Sequence, residues 1–430
     1  MGEEDKKNPL IPDEDEPLSE AMQKEKEKTQ IPVSGKHMLP RIIIFVLLLL
    51  VGIAGITLSF LGVFSTTEGI REIEYNAASI PLEKTIKLYY EFSGNSFAVS
   101  QEANAVKTEY SSLYYASYSN YEEETVYSEP YSSIGAINAS LDKTMTVNSA
   151  IYDALKDAYS RSSASYSIFA GPIEDFWNFC LKTGGTNDPL TSNAGSSYLS
   201  SFVSLLNEDK VASIDFLENG AIKVSEKSEY KAWKEEYEYK GPLLSLGYLK
   251  DAYRMDAIKK GLVEKGFTKG YLLDIDTGTV LSLGESGQIT ATEYALTGTK
   301  PVEAMRVKLE KGSCLVSVRH FAKSSIDLAY TINSEGKTHY RSGDINPSTG
   351  VPSDELTFLL SVTSNGAVSS VNEAIKATRG EIGPSSLQKV VYQEKGDLTS
   401  IFYSSSLSSS LTFLDGDEAN FRKEEIDKTS

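Results

Sequence analysis

The side chains that most readily exchange protons near neutral pH are the three histidines, His37, His320 and His339. His37 lies ahead of a long apolar run, which leaves His320 and His339 as candidates for proton transfer. Each is more often a surface or satisfied core residue than a catalyst. Asp274 and Asp276 alternate along one face of a predicted strand; two carboxylates suit a hard cation only if further oxygen ligands join them. No HExxH, CxxC, GxSxG, P-loop or GxGxxG pattern occurs. The two cysteines, Cys180 and Cys314, either pair or stand as separate buried thiols, and sequence leaves both open. Asn138-Ala139-Ser140 matches the glycosylation triplet, which a single chance match also explains.

The elements that must position these residues alternate between helix and strand. Strands are expected over 84–92, 212–217, 221–224, 271–275, 280–283, 304–309, 314–318, 356–363, 399–407 and 411–414. Apolar residues at helical spacing predict helices over 101–119, 149–159, 249–265 and 371–378, with Gly266 as a stop signal. Asn219-Gly220 marks a hairpin, and the Gly-, Asn-, Thr- and Ser-rich stretch 183–197 reads as a loop. Tyr114, Tyr115, Tyr118 and Tyr121 form a cluster readable as a sugar-binding platform, or more simply as amphipathic cover for half-buried faces. The pattern is α+β without an internal repeat or an evident domain boundary.

The run 42–64 is apolar apart from Thr57 and Ser59 and carries no charge, enough to span a bilayer as one helix. Lys24, Lys26, Lys28, Lys36 and Arg41 precede it, whereas only Arg71 and Lys84 follow closely, which orients the N-terminus to the cytoplasm. The expected organisation is a disordered cytoplasmic tail (1–41), a single uncleaved spanning helix (42–64), a domain outside the cell (80–414) and a charged C-terminal tail (415–430). This places the protein in the cell membrane. The net charge of −18 argues against nucleic acid as a partner.

Residues 342–352, reading Ser-Gly-Asp-Ile-Asn-Pro-Ser-Thr-Gly-Val-Pro, resemble the H-I-x-D-P-x-T-G-x-P segment of the ApbE family, the FAD:protein FMN transferases. Further stretches follow in the family's order. Residues 134–138 resemble its S-x-I-x-x-x-N turn, and 166–177 its F-D-P-T-x-G-P-L-x-x-x-W. Residues 244–256 resemble D-L-G-G-I-A-K-G-Y-A-x-D, 265–274 the strand before N-x-G-G-D, and 361–364 the strand before the A-D-A-L-A-T-A helix. The resemblance covers roughly residues 85–380. It implies an α+β flavin transferase domain that is exported or anchored, and that uses Mg²⁺ to move FMN from FAD to a Thr or Ser of an exported partner protein. It assigns cofactor contacts to Gly247, Asp276, Thr277, Asn346, Pro347, Thr349 and Gly350.

Departures fall where that chemistry would sit. The family's histidine position holds Gly343 and its aspartate holds Asn346. The metal-binding Asp-x-x-x-Thr reads Asn372-Glu-Ala-Ile-Lys376, and the lysine of A-K-G falls on Asp251. The paired glycines of G-G-D fall on Asp276 and Thr277, and the T-S-G turn on Ser317, Val318 and Arg319. On the residues alone no catalytic side chain and no metal ligand is assigned. The alternative to a transferase is a flavin-binding or protein-interaction module on the same scaffold, with FAD or FMN as its cofactor.

Overall fold

The computed structural model describes residues 68–75, 85–127, 132–285, 289–323, 328–353, 355–404, 411–414 and 420–426. The apolar run 42–64 lies outside the described residues, and among those described no helix is long and apolar enough to cross a membrane. All described residues belong to one compact unit, Thr66–Ser430.

Among the described residues the main sheet has nine strands, laid side by side in chain order: Gly69–Ile73, Ile86–Phe92, Gly270–Asp274, Val280–Ser282, Cys314–Arg319, Leu356–Thr363, Val390–Glu394, Ser400–Ser404 and Arg422–Ile426. Neighbours are antiparallel except the last two, which run parallel. The last strand lies within the segment read as a charged tail. Successive side chains of a strand face opposite sides, and the central strands use both. Cys314, Val316, Val318 and Leu359 enter the core on the helical face, whereas Leu315, Phe358, Leu360 and Val362 enter a second core. The strand Leu356–Thr363 is buried at every position, which explains its near-continuous apolar sequence.

The hairpin Ile289–Thr297 and Lys300–Leu309 closes the second core. On the helical face, Ala367–Thr378 packs against the strands Cys314–Arg319 and Leu356–Thr363. Its first amides, Ala367 N and Val368 N, donate to the Asp256 carboxylate at 2.8 and 3.0 Å. That carboxylate serves as a helix cap borrowed from the helix Lys250–Glu264, so the helix starts four residues before the predicted 371. The predicted helix 101–119 likewise begins earlier, at Ser96, because the Asn95 side chain accepts from Ala98 N.

Between the strands Ile86–Phe92 and Gly270–Asp274 lies an insertion of helices around a small sheet, Thr144–Thr146, Ala221–Glu226 and Ala212–Phe216. The hairpin at Asn219-Gly220 forms as expected, with both residues at positive φ. The stretch 183–197 is only partly a loop. A helix begins at Asn193 and runs to Asn207, capped by the Ser192 side chain accepting from Gly195 N. Its Ser-rich start hides it, and burial of Leu199 and Phe202 holds it. The tyrosine cluster is internal. Tyr110, Tyr114, Tyr118 and Tyr121 recur every three or four residues on one helix face and are buried. Tyr75, Tyr114 and Tyr118 stack at 4.2 Å spacings, and Arg254 covers the end of the stack 3.9 Å from the Tyr118 ring centre. A sugar platform at Tyr114 and Tyr118 is therefore excluded. Cys180 and Cys314 are both free and buried.

Candidate functional site

The strand Val280–Ser282 is only three residues long, so its neighbour Cys314–Arg319 outruns it. Cys314 and Leu315 pair with it, while Ser317 and Arg319 extend beyond. The turn at Asp276, Thr277 and Gly278 folds over this ledge. A Cβ on Gly278 would stand 3.5 Å from Ser317 Cβ and 3.6 Å from Arg319 Nη1. In front of the ledge is a cavity of about 370 Å³, within the range usual for small-molecule sites. Its walls include Asp276, Thr277, Ser317, Arg319, Tyr248, Asn178, Phe321 and residues 342–344, with Ile275 and Leu328 exposed at its rim.

One wall is built on buried charge. Asp344 Oδ1 accepts from Arg379 Nε at 2.7 Å, and Oδ2 lies 2.9 Å from His320 Nε2. The other ring nitrogen of His320 lies 2.6 Å from the carbonyl of Leu356. Burial alone would raise the Asp344 carboxyl, but the Arg379 guanidinium and the His320 hydrogen bond outweigh it and hold the group well below the usual carboxylate range. His320 is thus a buried strut. His339 sits half-buried on the strand Lys337–Arg341, opposite Ile332. Gly343 lines the cavity, and a Cβ there would meet nothing within 4 Å. The space next to the backbone at this position is open.

The sequence-assigned contacts divide into two groups. Asp276 and Thr277 line the cavity. Thr277 Oγ1 donates to Asp274 Oδ2 at 2.5 Å. Asn346, Pro347, Thr349 and Gly350 build a turn behind it. Asn346 Oδ1 accepts from Ser348 N at 3.0 Å, Gly350 N donates to Asn346 O at 2.8 Å, and Trp177 Nε1 donates to Gly350 O at 2.6 Å. Asn207 Nδ2 donates to Ser348 O at 3.0 Å, so the turn clasps two helices. Gly350 has φ +76, and a Cβ would come 2.6 Å from Val203 Cγ2, which requires glycine. Gly247 also acts through the backbone. Its φ of +54 begins the short turn that presents Tyr248 to the cavity, and a Cβ would lie 2.2 Å from Glu174 Oε1. Glu174 itself is half-buried. Burial, then the charge of Glu123, push its carboxyl up to about 7, with the Ser245 hydroxyl opposing.

The positions that resemblance gives to Mg²⁺ do not fit one. Asn372 Oδ1 is buried without a hydrogen-bond partner, and Lys376 Nζ pairs with Glu381 Oε1 at 3.2 Å. An amide and an ammonium replace the anionic oxygen and hydroxyl that a hard cation prefers. Elsewhere in the chain, carboxylate oxygens of Asp251, Asp274 and Asp276 lie within 4.8 Å of one another. Burial first, and then Asp251, raise Asp274 well above its ordinary value. Asp251 already pairs with Arg254 Nη1 at 2.6 Å.

Neither a family profile nor a curated protein sequence matches the chain. Solved structures do. The ApbE protein of Thermotoga maritima superposes with a TM-score of 0.52 at 11% identity, covering 80% of this chain and 99% of that one. This chain has the ApbE-like fold. The flavin transferase ApbE of Vibrio cholerae (TM-score 0.48, 12% identity, 81% and 100% covered) and the flavinyl transferase ApbE of Pseudomonas stutzeri (0.45, 9%, 76% and 91%) are further similar structures.

Within the ApbE-like fold, the cavity residues that sequence reading did not assign include Asn178, Tyr248, Phe321, Leu328, Ser342 and Asp344. They come from well-separated segments; Ser342 and Asp344 carried a signal through the motif at 342–352, and Tyr248 through the resembling stretch 244–256.

Proposed function

We propose that the protein is a membrane-anchored flavin-nucleotide-binding protein whose ApbE-like domain lies outside the cell and holds FAD or FMN in the cavity at Thr277 and Arg319. The observation that carries this reading is a convergence. The segments resembling the family's G-G-D, T-S-G and histidine motifs, far apart in sequence, meet as the walls of one cavity. The anchor is supported by the uncharged run 42–64 and the lysines before it. The lining is hydroxyl-rich around an apolar rim, which suits a planar ring with a polar, phosphorylated tail. Loss of the histidine and of both metal-binding side chains favours binding without transfer.

A second reading keeps FMN transfer from FAD to a Thr or Ser of an exported partner protein. It is favoured by the carboxylates of Asp251, Asp274 and Asp276, hard oxygens of the kind a divalent cation takes. One experiment separates the two. Purified full-length protein is titrated with FAD, with and without Mg²⁺, following flavin fluorescence and AMP release. Saturable binding without AMP supports the first reading. Mg²⁺-dependent AMP release supports the second, and absence of binding rejects both.

A further inference from the structure

We propose that Arg319 is the anion-holding residue of this cavity, its guanidinium taking a phosphate of the bound flavin nucleotide without a metal ion; the flavin part rests on the reading above. Among the described residues, Arg319 is the one cationic side chain lining the cavity. The other charged residues in the lining are acidic, Asp276 and Asp344, and Asp344 is already met by Arg379 and His320. The guanidinium is held loosely. Its partner is Glu293, with Nη1 3.7 Å from Oε2, and that same oxygen accepts the Ser317 hydroxyl at 2.9 Å. Among the described residues Arg319 donates no hydrogen bond. A planar fork of five N–H donors is thus turned to the cavity with its hydrogen-bonding capacity unspent.

For a guanidinium with free donors at a cavity wall, a phosphate is the partner whose geometry matches it. The Arg319 side chain is 12% exposed. Gly278 lies beside it. Its φ of +74 suits glycine, and a Cβ there would make ordinary contact with the two terminal nitrogens at 3.6 and 3.7 Å, so the turn packs directly against the guanidinium. The hydroxyls of Ser342 and Tyr248 line the same space and offer further donors around an anion, whereas those of Thr277 and Ser317 are already given to Asp274 and Glu293. Asn372 and Lys376 leave the family's own means of charge neutralisation unfilled, with Lys376 committed to Glu381.

The test measures binding of FMN and riboflavin to the full-length protein in EDTA, and the melting temperature with inorganic pyrophosphate. Wild type is compared with Arg319→Gln, Arg319→Lys and the double variant Arg319→Gln/Glu293→Gln, which removes both charges and so avoids stranding Glu293. Wild type should prefer FMN over riboflavin by about tenfold or more. Arg319→Gln and the double variant should lose that preference while keeping riboflavin affinity within about twofold, and Arg319→Lys should keep part of it. Retained riboflavin binding also reports that each variant is folded. Equal binding of both flavins by wild type, or an unchanged preference in the Gln variants, would overturn the inference and leave the flavin reading standing. If neither flavin binds but pyrophosphate raises the melting temperature of wild type and not of the Gln variants, the anion site stands and the flavin reading falls. No response to any of the three ligands rejects both.

Discussion

Glu174 shows how a single side chain sets a measurable property. It occupies a helix position that faces the interior, packed against Gly247 and bonded to the Ser245 hydroxyl, and its carboxyl is pushed up to about 7. The folded state therefore favours the protonated form. Its contribution to stability is fully present below the unfolded value near 4.5 and is lost as pH rises through 7. Urea denaturation between pH 4.5 and 8 should show wild type losing stability across that window and Glu174→Gln losing clearly less. Parallel curves would refute the assignment. Sequence inspection cannot see this property, because an acid one residue after a Gly-Pro-Ile helix start reads as ordinary N-terminal charge.

At the scale of elements, the helix Ala367–Thr378 illustrates what was legible and what was not. Its apolar stripe Val371, Ala374, Ile375 and Thr378 was readable from helical spacing. Its first turn was not, because Gly366 offers no side-chain cap and the cap comes from Asp256, 111 residues earlier. Asp256→Ala should cost about 1–2 kcal/mol in a urea titration, and Asp256→Asn less. An Ala variant as stable as wild type would show that the two amides find other partners. The same separation explains the helices Gly171–Lys182 and Ser228–Glu236 and the hairpin Tyr330–Ser334 with Lys337–Arg341, none of which the sequence reading placed. The hairpin is fixed from outside. Arg341 Nε and Tyr330 Oη both donate to Asp188 Oδ2, at 3.0 and 2.7 Å, tying it to a loop 140 or more positions away. The central strands, by contrast, were legible because burial on both faces leaves them rich in apolar residues.

At the scale of the whole molecule, the sheet follows chain order, so each insertion between strands projects from the same framework and the cavity forms where several meet. The signature turn at 346–350 could be found from its Asn, Pro and Gly spacing. Its role could not, since those residues clasp Trp177 and Val203 and leave the cavity wall to Gly343 and Asp344. A fold retained around substituted ligands fits a protein that holds a flavin and relies on Arg319 for charge.

The most direct test of that account fills the cavity. Gly343→Trp places an indole where a Cβ meets nothing within 4 Å, so the melting temperature should stay within a few degrees of wild type. FMN titrated in EDTA should bind wild type saturably and fail to bind the Trp variant. Unimpaired FMN binding by a folded Gly343→Trp would contradict the account, because the flavin would then sit somewhere other than this cavity.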